Sequence, residues 1–210
     1  MEAVYTGIGT ALRRLLSIPA TPSAMSRAEG QRLRLYDATE LDAILDRMAR
    51  QAAGLLTGRA QATLVGILRR GAPVAEMLGA RLERDFGFAP LPRLNLAIRR
   101  YADDLTLLHP ETPLAETPEQ AALDLSGRTV LVVDDVIYQG HSMLRAIDYL
   151  ARKRPAEIRT VVLVDRDVAR LPVRTDIVGA RLDVAPRDII ECNVPPYETE
   201  FGIDLCRRAS

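Results

Sequence analysis

The chain has 210 residues, a mass of 23.1 kDa, 48% hydrophobic and 27% charged residues, and 28 basic side chains against 28 acidic ones. That is the balance of one soluble globular domain, long enough to bury a core without disulfides or a structural metal. Zero net charge argues against a strongly basic polyanion binder, no run of 18 or more apolar residues is available to span a membrane, and two cysteines and two histidines with no Cys-x-x-Cys or Cys/His cluster give no zinc site.

Residues 1–32 are weakly patterned and are expected to form an extension ahead of a domain over 33–210. Arg13 and Arg14 interrupt the apolar run from Met1 to Pro19, so no secretory signal is read there. With thiols only at Cys192 and Cys206, a reducing cytoplasm is the expected location. Asp37-Ala-Thr-Glu40 has the spacing of a capping box. Leu41, Ile44, Leu45, Met48, Ala52 and Leu55 follow at helical intervals, up to Gly58. Ala62 to Ile67 is a buried strand. Leu68 to Gly71 is a turn, and Pro73 suits the first turn of a helix whose apolar face is Val74, Met77, Leu78 and Leu82. Leu94, Leu96 and Ile98 alternate as a strand does. Residues 101–126 carry Pro110, Pro113 and Pro118 without a period; a connection that long in a compact domain marks either a wrong assignment of elements or a functional lid.

Thr129 to Val133 gives the strongest strand signal, and it runs into Asp134-Asp135. Gly140 and a helix from about Ser142 to Ala151 follow, with Pro155 as the stop. Ile158 to Val164 is the next strand and ends on Asp165. Strands and helices alternate, which predicts an α/β fold with a largely parallel sheet and helices on both faces.

In such a sheet, ligands gather at the carboxyl ends of the strands. Asp134 and Asp135 leave the strand there, Gly140 removes a side chain from the loop, and Ser142 opens the next helix. Backbone N–H groups of the loop and the helix N-terminus make an anion cradle. One end of the segment suits a phosphate and the other offers acids to hydroxyls or a metal; a sugar phosphate has both features. Two other folds end a strand on paired acids. A P-loop nucleotidase needs GxxxxGK[ST], but the one lysine, Lys153, lies outside such a motif. A receiver-type acidic pocket needs a lysine at a strand end. The acids also have the plain reading of polar strand caps.

Residues 130–142 resemble the phosphoribosyl-pyrophosphate loop of type I phosphoribosyltransferases. The similarity extends over roughly 33–186. Leu64 through Arg70-Gly71, Tyr101-Ala-Asp103-Asp104-Leu105, Val164-Asp-Arg166, Leu171 to Arg174 and Val178-Gly179 are similar, in order and spacing, to the branch of bacterial pyrimidine operon attenuation proteins that are also uracil phosphoribosyltransferases. The resemblance implies a small hood, or base-binding region, beside the sheet. It implies that Asp134 and Asp135 hold the ribose hydroxyls of 5-phosphoribosyl 1-pyrophosphate. Tyr138, Gln139, Gly140, His141 and Ser142 would then hold its 5′-phosphate, and Arg69, Arg70 and Gly71 its pyrophosphate. Arg99, Arg100, Asp103 and Asp104 would belong to the lid, and Asp165 and Arg166 would begin the contacts to a nucleobase. Asp134, Asp135 and Arg70 would be the catalytic set. Mg²⁺ is the implied cofactor, held through substrate oxygens and Asp134. The implied partners are the sugar donor, a nucleobase or nucleotide and other copies of the chain, with no membrane.

The chain departs from that pattern at several places. Gln139 stands for a threonine and His141 for a basic residue. Ala102 replaces the lid arginine, and Asp167, Val168 and Ala169 replace a glycine, a histidine and an arginine at the base-binding end. Tyr138 favours the pyrimidine branch over the hypoxanthine-guanine enzymes, which carry aspartate there. The expected activity is therefore transfer of a phosphoribosyl group to a uracil-like base with release of pyrophosphate. The alternatives are a different acceptor, or a non-catalytic nucleotide sensor that binds messenger RNA through Arg13, Arg14, Arg152, Lys153 and Arg154.

Overall fold

A computed structural model describes residues 31–59, 61–97 and 123–207. Residues 1–30 of the expected extension, with Arg13 and Arg14, Ile98, and the lid positions Arg99, Arg100, Ala102, Asp103 and Asp104 lie outside the described residues, while Arg32 at the end of that extension opens the first strand.

The elements run β1 (Arg32–Tyr36), α1 (Ala38–Leu56), β2 (Ala62–Ile67), α2 (Gly71–Phe86), β3 (Arg93–Leu96), β4 (Thr129–Ile137), α3 (His141–Ala151), β5 (Glu157–Asp165), β6 (Ile177–Arg181), β7 (Ile189–Asn193) and β8 (Gly202–Cys206). Five strands form one sheet in the order β3-β2-β4-β5-β6, and every pairing in it is parallel. The fold is α/β, as the alternation of elements predicts.

The apolar runs of β2, β4 and β5 are continuous because both faces of the sheet are covered. Leu64, Leu131, Val133, Val161 and Leu163 face α1 and α2. Their neighbours Val65, Val130, Val132 and Val162 face Met143, Ala146 and Leu150 of α3. The capping box of α1 forms: the Glu40 N–H donates to Asp37 Oδ1 at 2.9 Å, and the Asp37 N–H donates to Glu40 Oε2 at 3.0 Å. The buried stripe of α1 is wider than the periodicity implied. It adds Ala49, Ala53 and Leu56, while Leu55 is only half-buried. No helix among the described residues is long and apolar enough to cross a membrane.

Two features differ from the sequence reading. The paired acids do not leave β4: the strand continues through them, with Val136 opposite Val164 and Ile137 opposite Asp165. Parallel pairing with a long β5 carries the ladder past the acids, which the break in hydrophobicity at Asp134 concealed. In addition, α3 starts one residue earlier, at His141.

A second sheet, β1-β8-β7, is antiparallel and is built from both ends of the described chain. It is the hood. Ile190, Cys192, Val194, Ile203 and Leu205 join the same core cluster as α1 and α2, so the hood shares the main core. Neither Cys192 nor Cys206 is in a disulfide.

Candidate functional site

The site forms where β2 ends beside the acid pair of the longer β4. Asp134 and Asp135 are each only 3% exposed. The Asp135 N–H donates to Asp134 Oδ1 at 2.9 Å, which fixes the first carboxylate against the backbone. The turn after β2 packs directly on this strand. A Cβ placed on Gly71 would lie 2.5 Å from the Val133 carbonyl oxygen and 2.9 Å from the Asp134 Cα, so only glycine lets α2 begin there. The turn 68–71 and the acid pair therefore occupy one corner of the sheet, although the sequence separates them widely.

On the other side, the chain leaves β4 after Ile137 and passes through Tyr138 and Gln139 into Gly140, whose φ of +89° is a left-handed conformation that favours glycine. Gly140 is the N-cap of α3 and contributes no side-chain cap. The first N–H groups of α3 lack acceptors within their own helix, as at any helix start. Those of residues 141–143 are thus suited to an anion. Val173 closes over the loop, and the Arg170 N–H donates to the Gln139 carbonyl at 3.3 Å.

Asp165 and Arg166 sit at the end of β5, next to this loop. Both oxygens of Asp165 are engaged locally. Oδ1 accepts from the Asp167 N–H at 2.9 Å and Oδ2 from the Thr175 hydroxyl at 3.1 Å. Asp165 therefore orders the segment 167–175. Asp167 holds a φ of +52°, which aspartate tolerates better than most residues. Where the resemblance led one to expect glycine, the backbone that glycine would supply is retained.

Arg166 is 6% exposed, with its guanidinium 4.5 Å from the centroid of the Tyr138 ring. Its Nη2 donates to the Asp188 carbonyl at 2.9 Å, while its Nε has no acceptor among the described residues. Burial pushes its pKa below the ordinary arginine value, against the opposing pull of Tyr138 and Asp188. Sequence reasoning did not find the Tyr138–Arg166 stack, because it joins two loops that only the β4–β5 pairing brings together.

Arg70 reaches the hood. Its Nε donates to Oε1 and Oε2 of Glu198 at 3.1 and 3.2 Å, and its Nη2 donates to Oε1 as well. The hydrogen bond to Glu198 raises the pKa of Arg70; burial opposes this, and the charges of Glu198 and Asp135 add to it. Burial works to raise the pKa of Glu198, but the Arg70 hydrogen bond and the Val194 N–H outweigh it and hold the carboxyl below the usual range. Glu198 carries no sequence signal beyond the Pro195-Pro196 turn that precedes it.

Two other groupings have different fates. The basic triplet after α3 is mostly engaged within the chain: Arg152 pairs with Asp148 at 2.7 Å, Arg154 lies 3.9 Å from Asp124, and Lys153 lies over the Tyr149 ring. A cleft of about 630 Å³ opens on the hood between Arg32, Arg34, Asn193, Tyr197, Glu198 and Asp204.

The family model of the phosphoribosyl transferase domain matches residues 32–199. The chain belongs to the phosphoribosyltransferase family. Among curated relatives, the "Bifunctional protein PyrR" of Roseiflexus sp. (strain RS-1) is 36% identical over 171 residues, covering 81% of this chain and 91% of that one. The protein of the same name from Actinobacillus pleuropneumoniae serotype 5b (strain L20) is 32% identical, covering 82% and 96%. These names agree with the pyrimidine-regulator branch that the motifs resemble. Among solved structures, a hypoxanthine phosphoribosyl transferase of Trypanosoma cruzi superposes with a TM-score of 0.67 at 22% identity, covering 89% of this chain and 95% of that one. Another from the same organism, in complex with the product IMP, gives 0.62 at 20% identity, covering 86% and 91%. At these identities the likeness establishes the phosphoribosyltransferase fold.

Proposed function

We propose that this phosphoribosyltransferase moves the phosphoribosyl group of 5-phosphoribosyl 1-pyrophosphate to a uracil-like base, in the cytoplasm, with Mg²⁺ as cofactor. The supporting observation is the corner where Gly71 packs on Asp134. It sets a buried acid pair, an arginine turn and an uncapped helix start around one strand end. In this reading residues 33–210 are the catalytic domain and 101–126 its lid.

Asp134 and Asp135 accept from the ribose hydroxyls. The N–H groups of 138–142 and the Ser142 hydroxyl donate to the 5′-phosphate. The base nitrogen bonds to the anomeric carbon as the bond from that carbon to pyrophosphate oxygen breaks, and the proton of the base N–H passes to the released pyrophosphate or to solvent water. The sugar carries oxocarbenium-like charge on the way. Arg70 faces the negative charge that grows on the leaving group, where a positioned donor has the most effect. The adjacent carboxylates are hard oxygen donors that fit a cation shared with substrate oxygens, and Mg²⁺ when bound neutralises charge on the pyrophosphate. Arg99, Arg100, Asp103 and Asp104 close over the donor and exclude water. Arg166 and the segment ordered by Asp165 line the base side, and Val168 and Ala169 there leave the choice of base to backbone groups and to Arg166.

The test is donor consumption with a panel of bases and direct detection of pyrophosphate. We expect release with uracil, and about a hundredfold loss or more in Asp135→Asn, since a neutral amide withdraws one charged acceptor from the sugar. Failure of every base, together with no heat on titrating the donor with magnesium, rejects the reading. A different acceptor would show in the same panel.

A second role in binding RNA follows from the family resemblance, and the word "bifunctional" in the relatives' names is compatible with two roles. Arg13, Arg14, Arg152, Lys153 and Arg154 are its candidate contacts, and other copies of the chain are separate candidate partners.

A further inference from the structure

Both arginines of the turn that ends in Gly71 are held by one short stretch of the hood. The Arg69 guanidinium lies 5.2 Å from the centroid of the Tyr197 ring, and Arg70 is paired with Glu198. Glu198 is itself anchored: the N–H of Val194 donates to its Oε2 at 2.8 Å, and Val194 is fully buried in the main core. The carboxylate is therefore fixed from the core side and grips the arginine from the open side.

The grip takes only part of the guanidinium. Nε and Nη2 donate to Glu198, and among the described residues nothing accepts from Nη1. A guanidinium presents donors on more than one edge. One edge is thus locked while another remains for a second anion. An unheld arginine would have to be ordered when its ligand binds, at a cost in side-chain entropy. Glu198 removes that cost beforehand.

We propose that Glu198 is a positioning residue that holds Arg70 on one edge, so that its other edge meets the pyrophosphate of the sugar donor. The hood thereby sets the affinity of the turn for that group. This rests on the reading of Arg70-Gly71 as the pyrophosphate turn. A rival account makes Glu198 an internal anion that competes with pyrophosphate for Arg70; the single occupied edge and the anchor at Val194 favour positioning.

Calorimetric titration of the full chain with magnesium pyrophosphate, and separately with uridine monophosphate, tests this. The monophosphate reports the α3 loop and the acid pair without needing Arg70. In Glu198→Ala we expect the pyrophosphate dissociation constant to rise about tenfold, or 1.4 kcal/mol, with the monophosphate constant unchanged. Glu198→Gln keeps the shape and an acceptor for the Val194 N–H but loses the charge. It should show a smaller shift of the same kind, and it decides the matter if the alanine variant does not fold. Unchanged pyrophosphate affinity in the variants overturns the proposal, as does tighter binding, which would identify Glu198 as the competitor. A parallel loss for both ligands also overturns it, by showing a general structural role. A wild-type chain that binds monophosphate but no pyrophosphate removes the underlying reading of the turn, a result distinct from unchanged variants of a binding wild type.

Discussion

A methyl group on Gly71 would have to share space with the Val133 carbonyl and the Asp134 backbone, neither of which is a flexible side-chain end. Gly71→Ala must push α2 off β4 or displace the acid pair. Overpacking of this kind costs about 3 kcal/mol. We expect that loss in chemical denaturation, together with weakened binding of the sugar donor. Asp167 makes the opposite point. Its left-handed φ shows that a position can change residue type and keep its backbone, provided that the new side chain tolerates that region. The departure from glycine at 167 therefore alters the surface of the base side more than its course.

The hood depends on one carboxylate. Asp204 lies on β8 and is 2% exposed. It accepts from Arg34 Nε at 2.6 Å, Arg32 Nε at 2.9 Å and Asn193 Nδ2 at 2.7 Å, so it joins β1, β8 and β7. Burial works to raise its pKa, but the hydrogen bonds from Arg34 and Asn193 and the pairing with Arg32 outweigh it, and the carboxyl is held below the ordinary value. The folded state therefore binds this proton less readily than the unfolded one. Its stabilising effect is complete above the unfolded value, about 3.9, and is lost as pH falls through the lower folded value. Acid titration followed by amide exchange of β7 and β8 should show the hood loosening below about pH 4. Asp204→Asn should flatten that dependence. Asp204→Ala should cost about 2 kcal/mol at neutral pH, the scale of a lost hydrogen bond to a charged group, because the half-exposed arginines regain water. Since Glu198 follows β7 in the same hood, acid loosening should also weaken pyrophosphate binding.

Across the whole molecule, 28 basic and 28 acidic residues cancel, so attraction of a polyanion must be local. The triplet at 152–154 is largely paired with its own neighbours. We expect Arg152→Ala and Arg154→Ala to change RNA affinity little. We also expect any RNA binding to show a shallow dependence of log K on log salt, of about two released counterions or fewer. A steep slope in filter binding would place a larger basic surface elsewhere on the chain.

Several features were legible because their causes lie within a few residues of one another. The capping box needs only Asp37 and Glu40. The stripe of α1, the apolar runs of β2, β4 and β5, and the glycine ahead of α3 follow from local spacing. Those signals determined the parallel α/β fold and the strand-loop-helix unit that carries the acid pair. Tertiary structure alone decided how far β4 runs past that pair, since β5 supplies the hydrogen bonds that extend it. It alone decided the hood, whose strands come from opposite ends of the described chain. Arg34 meets Asp204 across 170 positions and Arg70 meets Glu198 across 128. No pattern of neighbours encodes such pairs. They exist because burying the apolar faces of β7 and β8 against the main core brings their charged residues to arginines that local spacing had left without partners.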